Sequence, residues 1–405
     1  MFISPRVGSI LGLSLFLNTA YAQMMFPWTR HTVDNTSFGA DGTKTYFANQ
    51  DSLPDIISGW EQGGITRLYF HPGDPNQKWP YVEVPSLAVE DALLADLDED
   101  GFPDIITLSE GQHRRVTIHW APNDWQQYQQ SPAWQSVDIP CIINSTQWMF
   151  GVAHQVDDKY GLDLIVGSKG QGGTLGWLEA PANPREVDQW QFHEIFPAGW
   201  IMSIEMVDVN RDGYSDILIS DRKGDNRGVR WLQHPTKQDK LRAQWDNHII
   251  GLTQDEPMFL TMATASDSSL TDIYASNLSD HMVHFIPTFN GWAQDNIIFP
   301  SEAGTRGKSI AVGNVNQDGS IDLVTTYEGA DQKYGVMLSL VGNPGWQHYP
   351  ISDTLGRKFD FAKLIDLDQD GDLDVLTSEE NNNSATQGGL GVIWYENPLK
   401  QEKHP

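Results

Sequence analysis

The chain has 405 residues, a formal net charge of −28 and a single cysteine, Cys141. A chain this acidic does not bind nucleic acid through a general electrostatic field, and one cysteine excludes an intrachain disulfide. The 15 tryptophans and 36 glycines are typical of many short strands joined by tight turns and argue against disorder.

The N-terminus predicts an export signal. Residues 1–22 carry one positive charge, Arg6, then an apolar stretch and the ending Ala20-Tyr21-Ala22, which is the pattern of a cleavable secretory signal. We expect the mature chain to begin near Gln23 and to be secreted or periplasmic. No other segment is apolar enough to span a membrane, so one soluble, monomeric domain over residues 23–405 is expected.

Self-similarity dominates the rest of the chain. An apolar strand, an acidic loop and a second strand recur seven times, most clearly at residues 92–110, 204–222, 309–328 and 362–380. An Asp stands just before the second strand of every copy, and these anchor aspartates are Asp55, Asp104, Asp163, Asp216, Asp272, Asp322 and Asp374. They are 49 to 59 residues apart, so the sequence predicts seven units of near-constant length.

Each unit contains two further strand-like segments. The third often ends in an aromatic residue and a proline, as in VTIHWAP, and the fourth begins with Trp, as in WQSVDIP. Four short strands per unit are typical of a propeller blade, so we predict an all-β, seven-bladed β-propeller. The seventh unit lacks its fourth strand, whereas the matching segment WTRHTVD precedes the first unit. We expect this N-terminal strand to complete the last blade and close the ring, because closure removes free sheet edges.

The loops between first and second strands carry the motif D-x-D-x-D-G-x-x-D, as in DLDQDGDLD at residues 366–374. These repeats resemble the FG-GAP or VCBS type found in integrin α-subunit propellers and in many exported bacterial proteins. The resemblance covers residues 28–398. It implies that each intact loop binds a structural calcium ion between the first two strands of its blade.

The residue types fit calcium independently, because this ion takes about 6–8 hard oxygen ligands. Loops of this kind occur in blades 2, 4, 6 and 7, so about four ions are expected. The predicted ligands are Asp96, Asp98, Asp100 and Asp104 in blade 2, Asp208, Asn210, Asp212 and Asp216 in blade 4, Asn314, Asn316, Asp318 and Asp322 in blade 6, and Asp366, Asp368, Asp370 and Asp374 in blade 7. Blade 6 has the fewest carboxylates and is expected to lose its ion first. Blades 1, 3 and 5 have Phe47, Gln155 and Thr264 at the first motif position and are expected to hold no ion.

The connections from second to third strands and from blade to blade are expected to line the opposite face, which is where integrin-like propellers bind ligands. Cationic and aromatic residues there suit a carbohydrate, including an anionic one, through guanidinium groups and indole faces. The ligand-binding candidates are Trp60, Arg114, Arg115, Trp148, Trp200, Arg222, Lys223 and Arg227. In the alternative interpretation the charges pair locally and the tryptophans only pack.

The sequence leaves catalysis open. His113 and His281 lie in these loops and match no repeated position, so they are candidate general bases, with Tyr327 or Tyr334 as a candidate acid. The leading hypothesis is a carbohydrate-binding module. The alternatives are a polysaccharide lyase or sugar dehydratase acting on an acidic saccharide, which is an analogy of fold alone, and a protein-adhesion propeller.

Overall fold

The computed structural model describes residues 27–264, 270–342, 345–380 and 389–399. The predicted export signal lies outside the described residues. The described chain forms seven four-stranded antiparallel sheets arranged in a ring, which confirms the predicted seven-bladed β-propeller. Within these ranges, no helix combines the length and the apolar character that crossing a membrane requires.

Strands are numbered in chain order, and each blade contains four of them. The first strands of blades 1 to 7 are β2 (Ala40–Tyr46), β6 (Val89–Ala95), β10 (Gln147–His154), β14 (Ile201–Val207), β18 (Pro257–Thr264), β22 (Arg306–Gly313) and β26 (Lys363–Ile365). The second strands are β3 (Asp55–Trp60), β7 (Asp104–Ser109), β11 (Asp163–Lys169), β15 (Asp216–Asp221), β19 (Leu270–Asn277), β23 (Asp322–Glu328) and β27 (Asp374–Glu379).

The outer strands follow the same order. The third strands are β4 (Ile65–Tyr69), β8 (Arg115–Trp120), β12 (Thr174–Glu179), β16 (Gly228–Gln233), β20 (His281–Thr288), β24 (Val336–Gly342) and β28 (Gly391–Glu396). The fourth strands are β5 (Tyr81–Pro85), β9 (Gln135–Asp138), β13 (Gln191–Pro197), β17 (Asp246–Gly251), β21 (Gly291–Ile298), β25 (Gly345–Pro350) and, for blade 7, β1 (Thr29–Asp34). One short helix, α1 (Trp125–Tyr128), precedes β9, and single 3₁₀ turns lie at Ser131–Ala133, Pro140–Ile142, Val187–Gln189 and Gln238–Lys240.

The ring closes as the repeat pattern predicted. The N-terminal strand β1 pairs antiparallel with β28, with Thr29 opposite Glu396 and His31 opposite Trp394. The Trp28 amide donates to the Ile351 carbonyl at 2.8 Å, which joins this strand to blade 6. The first and last blades are therefore held in one closed ring by backbone hydrogen bonds, without a disulfide.

Burial is greatest in the second strands and least at the rim of the ring. The first strands of neighbouring blades contact one another around the axis. The second strands β3, β7, β15 and β27 are buried at every residue, which explains their continuous apolar or β-branched sequence, since both sheet faces pack on neighbouring blades. The outer strand β21 is mostly exposed. The acidic loops and the third-to-fourth-strand connections lie on one face, here named the acidic-loop face, because strand direction alternates within each blade.

Candidate functional site

In five of the seven blades, the anchor aspartate fastens its acidic loop to the end of the third strand of the same blade. In blade 3, Asp163 accepts a hydrogen bond from the Val156 amide at 2.9 Å and another from the Ala180 amide at 2.8 Å. The same pair of backbone contacts recurs at Asp55, Asp104, Asp216 and Asp374. Burial raises the pKa of Asp163 to about 7 and that of Asp104 to about 8. The anchor thus has a structural role in blades with and without the intact motif.

The anchors of blades 5 and 6 deviate from this arrangement. Asp322 accepts the amides of Val315 and Asn316, at 2.8 and 3.1 Å, on a single oxygen. Its other oxygen has no hydrogen-bond partner. Asp272 contacts Nε2 of His284 at 2.8 Å. The preceding loop of blade 5, residues 265–269, to which the prediction of no bound ion applies, lies outside the described residues.

The intact motif brings carboxylates together in blades 2 and 7. Three carboxylates in each loop have oxygens within 4.8 Å of one another: Asp96, Asp98 and Asp100 in blade 2, and Asp366, Asp368 and Asp374 in blade 7. The chain turns at Gly101, whose φ of 87° is a conformation that glycine adopts without strain. The Gly101 amide donates to Asp96 at 2.9 Å, so the turn itself orients the first carboxylate of the motif.

Unpartnered buried oxygens in both loops fit a cation. The Asp98 side chain is 10% exposed, and its Oδ1 has no hydrogen-bond partner. Asp372 is 3% exposed, and both of its oxygens lack a partner. Burial, followed by the charge of Asp370 and other loop carboxylates, raises the pKa of Asp372 to about 8. Asp372 stands at the seventh motif position and is not among the ligands predicted above, although this extra Asp is visible in DGDLD.

The loops of blades 4 and 6 contain asparagine amides that bond to the neighbouring carboxylates. Asn210 Nδ2 donates to Asp212 at 2.9 Å, and Asn316 Nδ2 donates to Asp318 at 2.9 Å. The Asp212 amide also donates to Asp208 at 3.1 Å. Among the described residues, neither loop brings three carboxylates together as blades 2 and 7 do.

The blade 3 loop has internal donors where the intact motif has carboxylates. Gln155 Oε1 accepts the Asp157 amide at 2.9 Å, while its Nε2 donates to the carbonyls of Lys159, at 2.6 Å, and Gly161. Lys159 Nζ lies 2.5 Å from Asp157 Oδ2. Arg242 of blade 4 also approaches that oxygen, at 3.7 Å. The carbonyls and the carboxylate of this loop are therefore satisfied by the protein itself.

In blade 1 the first motif position is Phe47, which is 68% exposed. The loop is organised by Asx-type turns, in which Asn49 accepts the Asp51 amide and Asp51 accepts the Leu53 amide, at 2.8 and 2.9 Å. No cluster of three carboxylates forms in the described part of this blade.

A charged cavity opens on the opposite face, at the axis of the ring; we name it the funnel. It has a volume of about 350 Å³ and is lined by seven carboxylates and four cationic side chains. The carboxylates belong to Asp41, Glu61, Glu90, Glu110, Glu328, Asp360 and Glu380, and the cations to Lys169, Arg222, Lys308 and Lys358. Trp200, Met149, Phe150, Met202 and Phe259 complete the apolar part of the wall.

Most of these residues occupy two repeated positions, measured from the anchor aspartates. Six residues after the anchors of blades 1 to 7 stand Glu61, Glu110, Lys169, Arg222, Leu278, Glu328 and Glu380. Fourteen residues before them stand Asp41, Glu90, Met149, Met202, Met258, Lys308 and Asp360. Sequence reasoning missed the funnel acids, but this periodicity was the available signal, since equivalent positions in a ring of blades face the same axis.

The two rings of side chains divide the funnel into two sectors. Blades 7, 1 and 2 supply carboxyl groups at both positions. Blades 3, 4 and 5 supply methionines at the position fourteen residues before the anchor. Phe150, Met202 and Phe259 pack as an apolar cluster there and also line a smaller cavity along the axis. A third cavity, of about 300 Å³, lies beyond it and includes Lys44 and Glu205.

Ion pairs bridge the blades around the funnel. Lys169 Nζ lies 3.3 Å from Glu90 Oε1 and also contacts Glu110. On the other side, Lys308 Nζ lies 3.1 Å from Glu328 and 3.4 Å from Asp360. Further pairs join Lys358 to Glu380 and, at 3.1 Å, Arg222 to Glu256. Cations from blades 3 and 6 thus flank the carboxylate sector.

Crowding perturbs the protonation of the funnel carboxylates. Burial, together with the nearby charge of Asp360, raises the pKa of Asp41, and the Asp41 carboxyl hydrogen-bonds to the Asp360 carboxylate. Burial also raises the pKa of Glu90 to about 8, with Glu110 and Glu61 contributing and Lys169 opposing. The pKa of Glu61 is raised by burial and by its acidic neighbours. The funnel therefore holds protonated and ionised carboxyl groups side by side at neutral pH.

Trp200 and Arg222 are the two predicted ligand residues that line the funnel. Three cations lie over the Trp200 ring, with Arg222 Cζ at 4.5 Å, Lys169 Nζ at 4.6 Å and Lys223 Nζ at 4.8 Å from its centroid. Its Nε1 is buried and has no hydrogen-bond partner. Trp200 thus acts first as a platform that positions cations.

The other predicted ligand residues do not line the funnel. Trp60 and Trp148 are 1% and 0% exposed and belong to the core between blades, because their side chains point to the packed face of the sheet. The three remaining arginines bond within their own connections or to the adjacent strand: Arg114 to the Gly111 carbonyl, Arg115 to Asp138 and Arg227 to the Thr253 carbonyl.

The four candidate catalytic residues also lie away from the funnel lining. The His281 ring contacts Ser279 and Asp280 of its own turn. Tyr327 is fully buried against Phe299, and burial raises its pKa. Tyr334 is half-buried and packs on the same cluster, and His113 is half-buried in its loop.

Comparisons with known proteins show the fold. No family model matches the chain, and no curated protein matches it. Among solved structures, the crystal structure of BBS1N in complex with ARL6DN is 11% identical, with a TM-score of 0.54 over 92% of this chain and 97% of that chain. The crystal structure of Saccharomyces cerevisiae Sqt1 is 8% identical, with a TM-score of 0.51 over 89% of this chain and 86% of that chain. At such identities the similarity concerns the fold alone.

Proposed function

We propose that this chain is a calcium-stabilised binding module that takes a saccharide in the funnel. The observation that carries the proposal is the division of the funnel into a charged sector and an apolar one. A sugar ring has a rim of hydroxyl groups and an apolar face of C–H groups. Carboxylates accept from hydroxyls and ammonium or guanidinium groups donate to them, while methionine and aromatic side chains cover the apolar face.

The charge of the lining favours a neutral or amine-bearing saccharide over an acidic one. Seven carboxyl groups, of which Glu90 holds a proton at neutral pH, face four cationic groups. These cations already contact other acids, namely Glu110, Glu328, Glu380 and Glu256. Glu61 forms no ion pair within the described residues and lies within 4.8 Å of acids of blades 7 and 2. An added carboxylate or sulfate would meet net repulsion here, whereas a hydroxyl or ammonium group would meet acceptors.

The calcium part of the proposal rests on the acidic loops. Blade 7 fits the ion best, because Asp366, Asp368 and Asp374 converge. Asp372 adds a carboxylate with unpartnered oxygens to the four at the motif positions. A bound calcium ion would supply the positive charge that these crowded carboxylates lack. Sites of this kind in extracellular modules work at about 10⁻⁴–10⁻³ M calcium, which is consistent with the predicted export of the chain. The same proposal includes a structural role for these ions and a relationship of this chain to FG-GAP or VCBS propellers.

Calorimetry with three sets of short oligosaccharides tests the saccharide site: neutral glucose oligomers, amine-bearing glucosamine oligomers and acidic galacturonate oligomers. We expect the neutral or amine-bearing set to bind and the acidic set to bind more weakly. Arg222→Gln should weaken binding by about tenfold or more, because it removes a charged donor from the wall. Arg114→Gln is the matched control, since Arg114 lies in a comparable connection on the same face but outside the lining.

Binding that is equally strong in the wild type and in Arg222→Gln would place the saccharide elsewhere. Preferential binding of the galacturonate oligomers would contradict the argument from charge. Loss of binding in Arg114→Gln as well would show that the effect is not specific to the funnel.

One observation favours an enzyme as the second candidate. Burial and neighbouring acids raise the pKa of Glu90 to about 8, so that it carries a proton at neutral pH beside Glu110, which contacts Lys169. A carboxyl group that keeps its proton at neutral pH can act as a general acid beside a second carboxyl group. Turnover would appear as new reducing ends for hydrolysis, or as absorbance near 235 nm for a lyase, and should be abolished in Glu90→Gln. Binding without either signal supports the module.

A further inference from the structure

An arginine from the neighbouring blade reaches into the acidic loop of blade 2. Arg185 lies between β12 and β13 of blade 3, and its Nε bonds to Asp98 Oδ2. Its Nη2 lies 3.7 Å from Asp100 Oδ2, and its guanidinium lies over the Trp120 ring at 4.8 Å. The guanidinium therefore occupies a fixed position against the same carboxylates that form the predicted calcium loop.

The arginine leaves part of the loop open to an ion. Asp98 is engaged through Oδ2 alone, and its buried Oδ1 has no partner. Oxygens of Asp96, Asp98 and Asp100 remain within 4.8 Å of one another. The Arg185 side chain is 40% exposed, against 10% for Asp98, so the guanidinium can leave toward solvent while the carboxylate stays buried.

The described part of the chain places no equivalent lysine or arginine at the blade 7 loop. Among the described residues, no lysine or arginine forms an ion pair with Asp366, Asp368 or Asp370. The following blade, blade 1, contacts this loop through His71, whose Nε2 lies 3.0 Å from the Leu367 carbonyl oxygen. Blade 6 contacts it through Gln317, whose Nε2 donates to the Gly371 carbonyl at 3.0 Å. Two loops with the same motif thus differ in whether a positive charge is already in place.

We propose that Arg185 competes with calcium for the blade 2 loop. In the calcium-free protein its guanidinium compensates Asp98 and Asp100, and it has to leave Asp98 Oδ2 when the ion takes that oxygen. Blade 2 then binds calcium more weakly than blade 7, although both loops have four carboxylates at the motif positions. This inference rests on the calcium part of the proposed function.

Native mass spectrometry at increasing free calcium, using the mature chain, tests the competition. Arg185→Gln should move one calcium-binding step to a lower concentration, by roughly 3- to 10-fold, which is the effect of removing one partly exposed charge-assisted contact. Asp96→Asn should remove that step and so assign it to blade 2. Arg242→Gln is the matched control, because Arg242 makes the corresponding reach onto the blade 3 loop, where no ion is expected.

A thermal melt separates competition from a merely structural contact. With chelator, Arg185→Gln should melt below the wild type, because the built-in cation is lost. With saturating calcium, this difference should shrink or reverse, since calcium no longer has to displace the guanidinium. Unchanged calcium steps, or weaker calcium binding in Arg185→Gln, would overturn the inference and leave calcium binding itself intact. A wild type that binds no calcium would overturn both.

Discussion

The acidic loops of blades 7 and 3 both connect the first and second strands of a blade, but different groups surround their oxygen atoms. Blade 7 gathers carboxylates around unpartnered oxygens, those of Asp372 included. Blade 3 places the amide of Gln155, the ammonium of Lys159 and the guanidinium of Arg242 among its carbonyls and carboxylates. A loop with crowded oxygens needs positive charge or donors. In blade 3 the protein's own side chains supply them, and in blade 7 we propose that calcium does.

Blade 2 lies between these two extremes. It keeps the full motif, yet Arg185 from the next blade already contacts Asp98 and Asp100. Its arginine comes from the third-to-fourth-strand connection of blade 3, and Arg242 contacts the blade 3 loop from the corresponding connection of blade 4.

The largest expected effect concerns the anchor aspartate, which the loops of blades 3 and 7 share. Asp163→Ala removes a buried acceptor from two backbone amides, which should lower the free energy of unfolding by about 2–4 kcal/mol. Asp374→Ala in blade 7 should cost a similar amount in the presence of chelator. Urea denaturation measures both, with the exposed Asp239→Ala as control. A loss below about 1 kcal/mol in blade 3 would contradict the anchor role.

A graft of the motif into blade 3 sharpens the comparison, with a smaller expected effect. Gln155→Asp combined with Lys159→Asp restores carboxylates at the first and fifth motif positions. Without calcium this variant should lose about 1–2 kcal/mol of stability. The reason is that carboxylates, which repel Asp157, replace the amide and ammonium donors. Saturating calcium should recover about that amount.

The measurement for the graft is urea denaturation with chelator and with calcium. Gln155→Asn combined with Lys159→Gln is the control, because it shortens or neutralises the same positions without adding charge. Equal calcium responses in graft and control would show that the carboxylates do not decide between the two kinds of loop.

The last prediction concerns Glu90 on the opposite face and the dependence of stability on pH. The folded-state pKa of Glu90 is raised from 4.5 to about 8, so the folded protein holds a proton that the unfolded chain releases. The stability from this group is present below about pH 4.5 and is lost as pH rises toward 8. We therefore expect the free energy of unfolding to decrease over this range, with Lys169 opposing the shift.

Glu90→Gln should flatten that part of the pH profile, as measured by urea denaturation between pH 5 and 8. The effect should be the same with and without calcium, because distant sites contribute additively. A calcium-dependent change in Glu90→Gln would show that the two faces are coupled.

Local sequence signals predicted much of the acidic-loop face. Spacing of the anchor aspartates, a turn glycine and alternating carboxylates are contiguous features, and Asp96 and Asp366 lie in loops of the predicted shape. The contacts of Arg185 and Arg242 with the acidic loops were not predictable in this way, because each arginine contacts a loop dozens of residues earlier in the chain. Trp60 and Trp148 stand next to loops in the sequence, yet their side chains pack between blades.

The repeat by itself determined the number of blades, the ring closed by β1 and the positions of the acidic loops, because each depends on local pattern and on the need to pair sheet edges. The tertiary structure alone decided which side chains meet in the funnel. Glu61, Glu90 and Glu380 are ordinary loop or strand acids when considered singly, and they become one perturbed cluster only because seven blades bring equivalent positions to a common axis. Charge effects depend on distances through space, which the ring sets and the linear sequence does not.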